Sequence, residues 1–193
     1  MNTLKFRNMN TVKLLALLFI SSLAVGCTKD DEKDDHDHDS EEELITTVIY
    51  TLNNSEDNAD VVTLTFTDLD GEGGMDGIYD VSGPLTANAR YTGDMRLLNA
   101  TESPAENITE EVEDEGDEHE FFYLNTAGLT ITKTDVDDDG NPVGLKTLVT
   151  TGDAATGTIT AILKHEPTKP NDGTTADAGG STDVEVSFSI EVQ

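Results

Sequence analysis

From Leu44 to the C-terminus, apolar side chains recur at every second position, the period of a strand with one buried face and one wet face. Leu44, Thr46, Val48, Tyr50 and Leu52 form one face of a first strand, and Val62, Leu64 and Phe66 one face of a second. The last segment is the most regular: Val184, Val186, Phe188, Ile190 and Val192 alternate with Glu185, Ser187, Ser189 and Glu191. Between them, strands are expected at Ile78 to Val81, Tyr91 to Leu98, Phe121 to Leu124, Leu129 to Thr134, Leu145 to Thr151 and Thr158 to His165. About nine short strands separated by Gly, Asn, Asp and Pro predict an all-β fold over residues 44–193, a single antiparallel β-sandwich of immunoglobulin-like or jelly-roll-like form. One stretch breaks the alternation. Ser103-Pro104-Ala105-Glu106 has the form of a capping box and predicts a short connecting helix, with Ala105, Ile108 and Val112 as its apolar stripe and Gly116 as its stop.

Upstream of Leu44 the pattern changes. Lys5, Arg7 and Lys13 precede an apolar run from Leu14 to Val25, and Gly26 then leads to the single cysteine, Cys27. The run is about a dozen residues, short of the roughly 20 that span a bilayer, which predicts a cleaved secretory signal over residues 1–26. Leu23-Ala24-Val25-Gly26-Cys27 resembles a bacterial lipobox, so Cys27 is expected to carry a lipid anchor in the outer membrane. Residues 27–43 hold no apolar residue after the cysteine and predict a disordered acidic tether. Its first residues, Lys29-Asp30-Asp31-Glu32, resemble the surface-export signal of Bacteroidota lipoproteins, which implies display at the cell surface, with a periplasm-facing anchor as the alternative.

Composition narrows the function classes. The chain has 40 Asp and Glu against 11 Lys and Arg, a net charge of -29. Removal of residues 1–26 takes away three basic residues and no acidic one, leaving 8 basic residues against 40 acidic ones, or -32. A surface of this sign repels phosphate backbones, and no basic stripe reverses it locally, which argues against nucleic acid as a partner. With one cysteine, any bound metal is expected on oxygen or imidazole ligands.

Three features carry candidate chemistry. Asp135-Val136-Asp137-Asp138-Asp139-Gly140-Asn141 matches the first half of a calcium loop, with carboxylates at Asp135, Asp137 and Asp139 and the carbonyl of Asn141; Lys146 stands where such a loop has its bidentate glutamate. A plain β-hairpin tip is the alternative, with Thr130 to Thr134 pairing against Leu145 to Val149. His119 lies between Glu118 and Glu120, and His165 shares a strand face with Ile159, Ala161 and Leu163. If the fold joins them, they are candidate ligands for a transition metal or haem, with Glu118 or Glu166 as partners. In the tether, His36 and His38 alternate with aspartates, a composition that holds Zn²⁺ or Cu²⁺ weakly without preorganisation. No nucleophile elbow and no H-E-x-x-H occurs, so a non-enzyme is expected.

Several segments resemble a group of small flavobacterial lipoproteins named "type 1 periplasmic binding fold superfamily protein". They are Thr47-Val48-Ile49-Tyr50-Thr51-Leu52, Phe66-Thr67-Asp68-Leu69-Asp70-Gly71, residues 102–111, Glu118-His119-Glu120-Phe121-Phe122, His165-Glu166-Pro167 and residues 179–186. The resemblance implies a surface or periplasmic lipoprotein and brings no reaction or ligand. The fold in that name is a two-lobed parallel α/β structure, whereas this chain lacks the repeated helices that cover a parallel sheet. The sequence therefore leads to a non-catalytic binding module held by its lipid anchor, with an outer-membrane receptor or surface ligand as partner. The alternative is metal, haem or calcium capture accessory to nutrient uptake.

Overall fold

The alternating segments become nine strands: β1 (Thr47–Asn54), β2 (Val61–Thr67), β3 (Ile78–Val81), β4 (Arg90–Leu98), β5 (His119–Asn125), β6 (Thr130–Lys133), β7 (Lys146–Thr150), β8 (Ala155–His165) and β9 (Ser181–Val192). They are seen in a computed structural model that describes residues 43–71 and 74–193. The expected signal segment, Cys27, and the tether histidines His36 and His38 lie outside the described residues. Among the described residues two short helices complete the set, α1 (Ile108–Asp114) and α2 (Thr175–Ala178).

The strands form a six-stranded sheet in the order β3-β2-β1-β4-β7-β6 and a three-stranded sheet in the order β5-β8-β9. Neighbouring strands pair antiparallel in both. This is the expected all-β sandwich. Its core is made by the inward positions of the period-2 pattern: Val48, Tyr50, Leu52, Leu64, Tyr91 and Leu97 from the large sheet meet Phe121, Ile159, Leu163 and Phe188 from the small one. Each is sealed from water and contributes about 1.5–3 kcal/mol of burial relative to an exposed position. Where Tyr50 crosses β4, its hydroxyl and the Thr147 hydroxyl lie 2.6 Å apart. A Cβ on Gly93 would sit 2.3 Å from the Thr147 oxygen, so only glycine lets the three strands close at this point.

The helix starts later than the capping box indicates. Asn99 and Glu106 exchange backbone hydrogen bonds of 3.1 and 3.0 Å in an isolated bridge, and the Glu106 carboxylate accepts the Asn99 side-chain amide at 3.2 Å. The glutamate meant for the box is thus held extended, and Asn107 becomes the N-cap of α1. Ile108 and Val112 are buried as expected. The four-residue α2 was not foreshadowed by any period. It is capped by Thr174, whose hydroxyl accepts the Asp177 N–H, and its Ala178 joins Phe122 and Ile162 in a small apolar cluster apart from the main core.

The registers decide where the long connections go. β1 starts at Thr47 opposite Thr67 and Leu98, and β5 starts at His119 opposite His165, itself opposite Ser181. The segments 68–71, 74–77, 99–118 and 166–180 therefore gather at the end of the sandwich where the chain arrives from Glu43. The outer edge is tied down around Glu120: Lys133 pairs with the Glu120 carboxylate and lies 4.3 Å over the Phe122 ring, and the Asn171 amide donates to Glu120 at 2.6 Å.

Phe188 is fully buried at the meeting of the two sheets. Replacing it by alanine is expected to lower unfolding free energy by about 3–5 kcal/mol, while Ile78→Ser, at a position 71% exposed, changes it by less than about 0.5 kcal/mol. Denaturant unfolding of both variants checks the inward and outward assignment.

Candidate metal centre

The β5–β8 ladder sets His119 directly opposite His165. Side chains facing each other across an antiparallel pair share one face about 5 Å apart. The two imidazoles accordingly stack, with centroids 4.9 Å apart and planes 9° from parallel. Both are buried, His119 completely, as the last polar layer above Phe121 and Leu163.

A third group reaches them through a flaw in the ladder. β8 and β9 pair Leu163 with Val184 but Lys164 with Thr182, leaving Asp183 as the extra residue of a bulge. Strict alternation would turn Asp183 outward with Glu185. The bulge re-aims it inward. Its side chain is fully buried, with one carboxylate oxygen 3.9 Å from His119 Nε2 and the other 4.0 Å from His165 Nδ1. Glu43, just ahead of β1, supplies a fourth group, its Oε1 3.0 Å from His119 Nε2. Glu43 and Asp183 also line a cleft of about 530 Å³ with Thr46, Asp68 and Gly71.

The proton positions follow from the partners. His119 Nδ1 lies 3.1 Å from the Glu115 carbonyl, which only accepts, so Nδ1 carries the hydrogen. Nε2 then faces the Glu43 and Asp183 carboxylates either as the second N–H of an imidazolium or as a lone pair. Two carboxylates against a buried lone pair are stable only with a cation between them. Burial pushes the His119 pKa down, but the hydrogen bond and charge of Glu43, the Glu115 carbonyl and the Asp183 charge outweigh it and raise the pKa above 6.5. Burial pushes the Glu43 carboxyl up, and the hydrogen bond and charge of His119 with the charge of His165 bring it below 4.5.

Among the described residues, two groups bring three ligand atoms within 4.8 Å of one another: Glu43, Glu115 and His119, and Glu118, His165 and Glu166. Of the residues anticipated from sequence, the fold thus joins His119 with His165 and places both Glu118 and Glu166 beside His165. Glu43 and Asp183 were not anticipated. Glu43 stands in a run of acids that reads as tether, and Asp183 is inward only because of the bulge; neither position carries a signal in the sequence that would have found it.

The aspartate loop is built differently. β6 and β7 form the expected hairpin, paired one residue further along, Thr130 opposite Thr150. Both Asp135 oxygens accept main-chain amides, Gly144 N–H at 3.0 Å and Leu145 N–H at 2.8 Å. Asp137 accepts the N–H of Asn141 at 2.7 Å and of Asp139 at 3.1 Å, while the Lys169 ammonium stands 3.3 Å from its other oxygen. The backbone carbonyl of Asn141 accepts the Asp137 N–H at 2.8 Å, and Asp139 is exposed. These are turn acceptors closed around Gly140 at φ +87°, with a lysine supplying the positive charge that a Ca²⁺ ion would bring.

Comparison with protein-family models, with curated proteins and with solved structures finds no match to this chain.

The Glu43–His119 pair gives the metal-free chain a pH signature. A carboxyl with a lowered pKa adds stability that is present above 4.5 and fades as pH falls through its folded value; an imidazole with a raised pKa adds stability that is present below 6.5 and fades as pH rises through its folded value. The stability difference between the native chain and Glu43→Gln is therefore expected to peak between pH 4.5 and 6.5 and to shrink on both sides. Urea unfolding across pH, in chelator, measures it; a difference independent of pH would mean that the pair is not formed.

Proposed function

We propose that the chain is a non-catalytic, lipid-anchored binding protein displayed on the outer membrane, and that it captures a divalent transition metal at His119. The observation that carries this reading is the Nε2 nitrogen of a buried imidazole 3.0 Å from the Glu43 carboxylate, with its other nitrogen fixed by the Glu115 carbonyl. Two donors each about 2.1 Å from a metal and about 90–109° apart are themselves roughly 3.0–3.4 Å apart. Glu43 and His119 already stand at that separation. Asp183 and the Glu115 carboxylate are close enough to complete the shell by side-chain rotation, and the Glu115 carbonyl on Nδ1 acts as the outer acceptor that orients ligating histidines.

The donor set selects the ion. Imidazole with carboxylates suits Zn²⁺, Cu²⁺ or Ni²⁺, whereas Ca²⁺ and Mg²⁺ seek oxygen alone. Haem is disfavoured by the same geometry, because two axial imidazoles approach iron from opposite faces of the macrocycle and these rings lie side by side. A lipid on Cys27 and the export-like Lys29-Asp30-Asp31-Glu32 would hold this centre at the cell surface, where the net charge of -32 left after loss of residues 1–26 concentrates cations. An outer-membrane receptor that accepts the ion is the partner this reading implies.

A ligand that binds only the folded state raises stability by about 2.7 kcal/mol at a hundredfold excess over Kd. For a domain of this size that is a shift of roughly 5–10 °C in Tm. Zn²⁺ is expected to produce it in the native chain and to produce much less of it in His119→Ala and Glu43→Gln, while Ca²⁺ leaves Tm unchanged. A zinc shift of undiminished size in both variants contradicts the reading.

A further inference from the structure

Behind the His119 site, the second imidazole repeats the same arrangement with its own carboxylates. His165 Nδ1 lies 4.0 Å from Asp183, which leaves Nε2 on the far side of the ring, 3.8 Å from Glu118 Oε2. Glu166 brings a further carboxylate oxygen into this group. The backbone fixes the trio: the Glu166 N–H donates to the Glu118 carbonyl at 2.7 Å, and Glu166 itself adopts a left-handed φ of +50°, a conformation that non-glycine residues seldom hold without surrounding support. Part of that support is Gly180, where a Cβ would fall 2.2 Å from the His165 carbonyl oxygen.

We infer that the centre has two cation positions, an inner one on His119 Nε2 and an outer one formed by His165 Nε2 with Glu118 and Glu166, separated by the stacked imidazoles, each of which has one oxygen of Asp183 about 4 Å from a ring nitrogen. This rests on the reading of His119 as a metal ligand and extends it. Both positions place a nitrogen donor against carboxylates; the Glu115 carbonyl orients His119 from behind, and an Asp183 oxygen lies 4.0 Å behind His165 at Nδ1. They differ in access. The inner donors are buried, while the Glu118 side chain is 39% exposed and Glu166 is exposed. An ion on the outer position keeps water in its shell and exchanges quickly, whereas the inner ion is enclosed by protein. A cation approaching this end of the sandwich meets the outer glutamates first, and the Asp183 carboxylate links the two positions.

Native mass spectrometry counts the ions directly. The chain carrying Cys27→Ser, His36→Ala and His38→Ala, so that N-terminal ligands do not add to the count, is titrated with Zn²⁺. Two ions are expected, the second released first on addition of a weak chelator. Glu118→Gln with Glu166→Gln is expected to hold one ion, with the zinc-induced Tm shift of the inner position retained. Glu43→Gln is expected to hold one ion that the weak chelator removes. A single ion in the parent chain, lost on Glu43→Gln, overturns the outer position and leaves the inner one standing. Two ions that persist in the Glu118→Gln, Glu166→Gln chain overturn the assignment of the outer ligands. No bound ion overturns the inner site and the outer site together.

Discussion

A buried imidazole whose free nitrogen meets a carboxylate at 3.0 Å must hold a positive charge there, and the end of the sandwich is organised around that requirement. The β5–β8 register brings His119 against His165, the β8–β9 bulge turns Asp183 onto both, and the chain ahead of β1 lays Glu43 on His119. In the metal-free molecule a proton meets the requirement. A metal ion on the same lone pair would displace that proton, so the proposed capture and proton release are linked at one atom.

The surroundings keep this arrangement from collapsing or spreading. Lys169, buried between two connections, donates to the Gly116 carbonyl at 2.5 Å and pairs with Asp137, which ties the turn after α1 to the β6–β7 connection. Glu120, next to His119 in β5, is held by Lys133 and Asn171 on the opposite face of the strand. The loops that carry Glu115, Glu118 and Glu166 are thus fixed before any ligand arrives, which lowers the ordering entropy a ligand must overcome. The acidic run of residues 28–43, with its alternating His36 and His38, has no comparable reason in its sequence to bind tightly.

The fold was legible because the period-2 pattern is a direct consequence of half-buried strands: Ile78 to Val81 is found as read, and Val186, Phe188, Ile190 and Val192 face inward as read. Where the reading departs from the structure, a local hydrogen bond overrides a local preference. Glu106 bridges to Asn99 instead of closing a capping box, and Leu44 lies mostly in solvent because the ladder begins only at Thr47. The two histidines were visible as strand-end residues, but their meeting depends on register, which composition and period do not specify. Asp183 was hidden for a stricter reason: a bulge inverts the rule by which inward residues are recognised.

The proposed capture places a metal ion between His119 Nε2, Glu43 and Asp183. Anomalous diffraction at the zinc edge from crystals of the zinc-loaded chain tests it most directly. A peak about 2.0–2.2 Å from His119 Nε2 and from a Glu43 oxygen is expected. A zinc-loaded crystal in which His119 and Glu43 remain 3.0 Å apart as a bare ion pair, with the anomalous signal elsewhere, would contradict it.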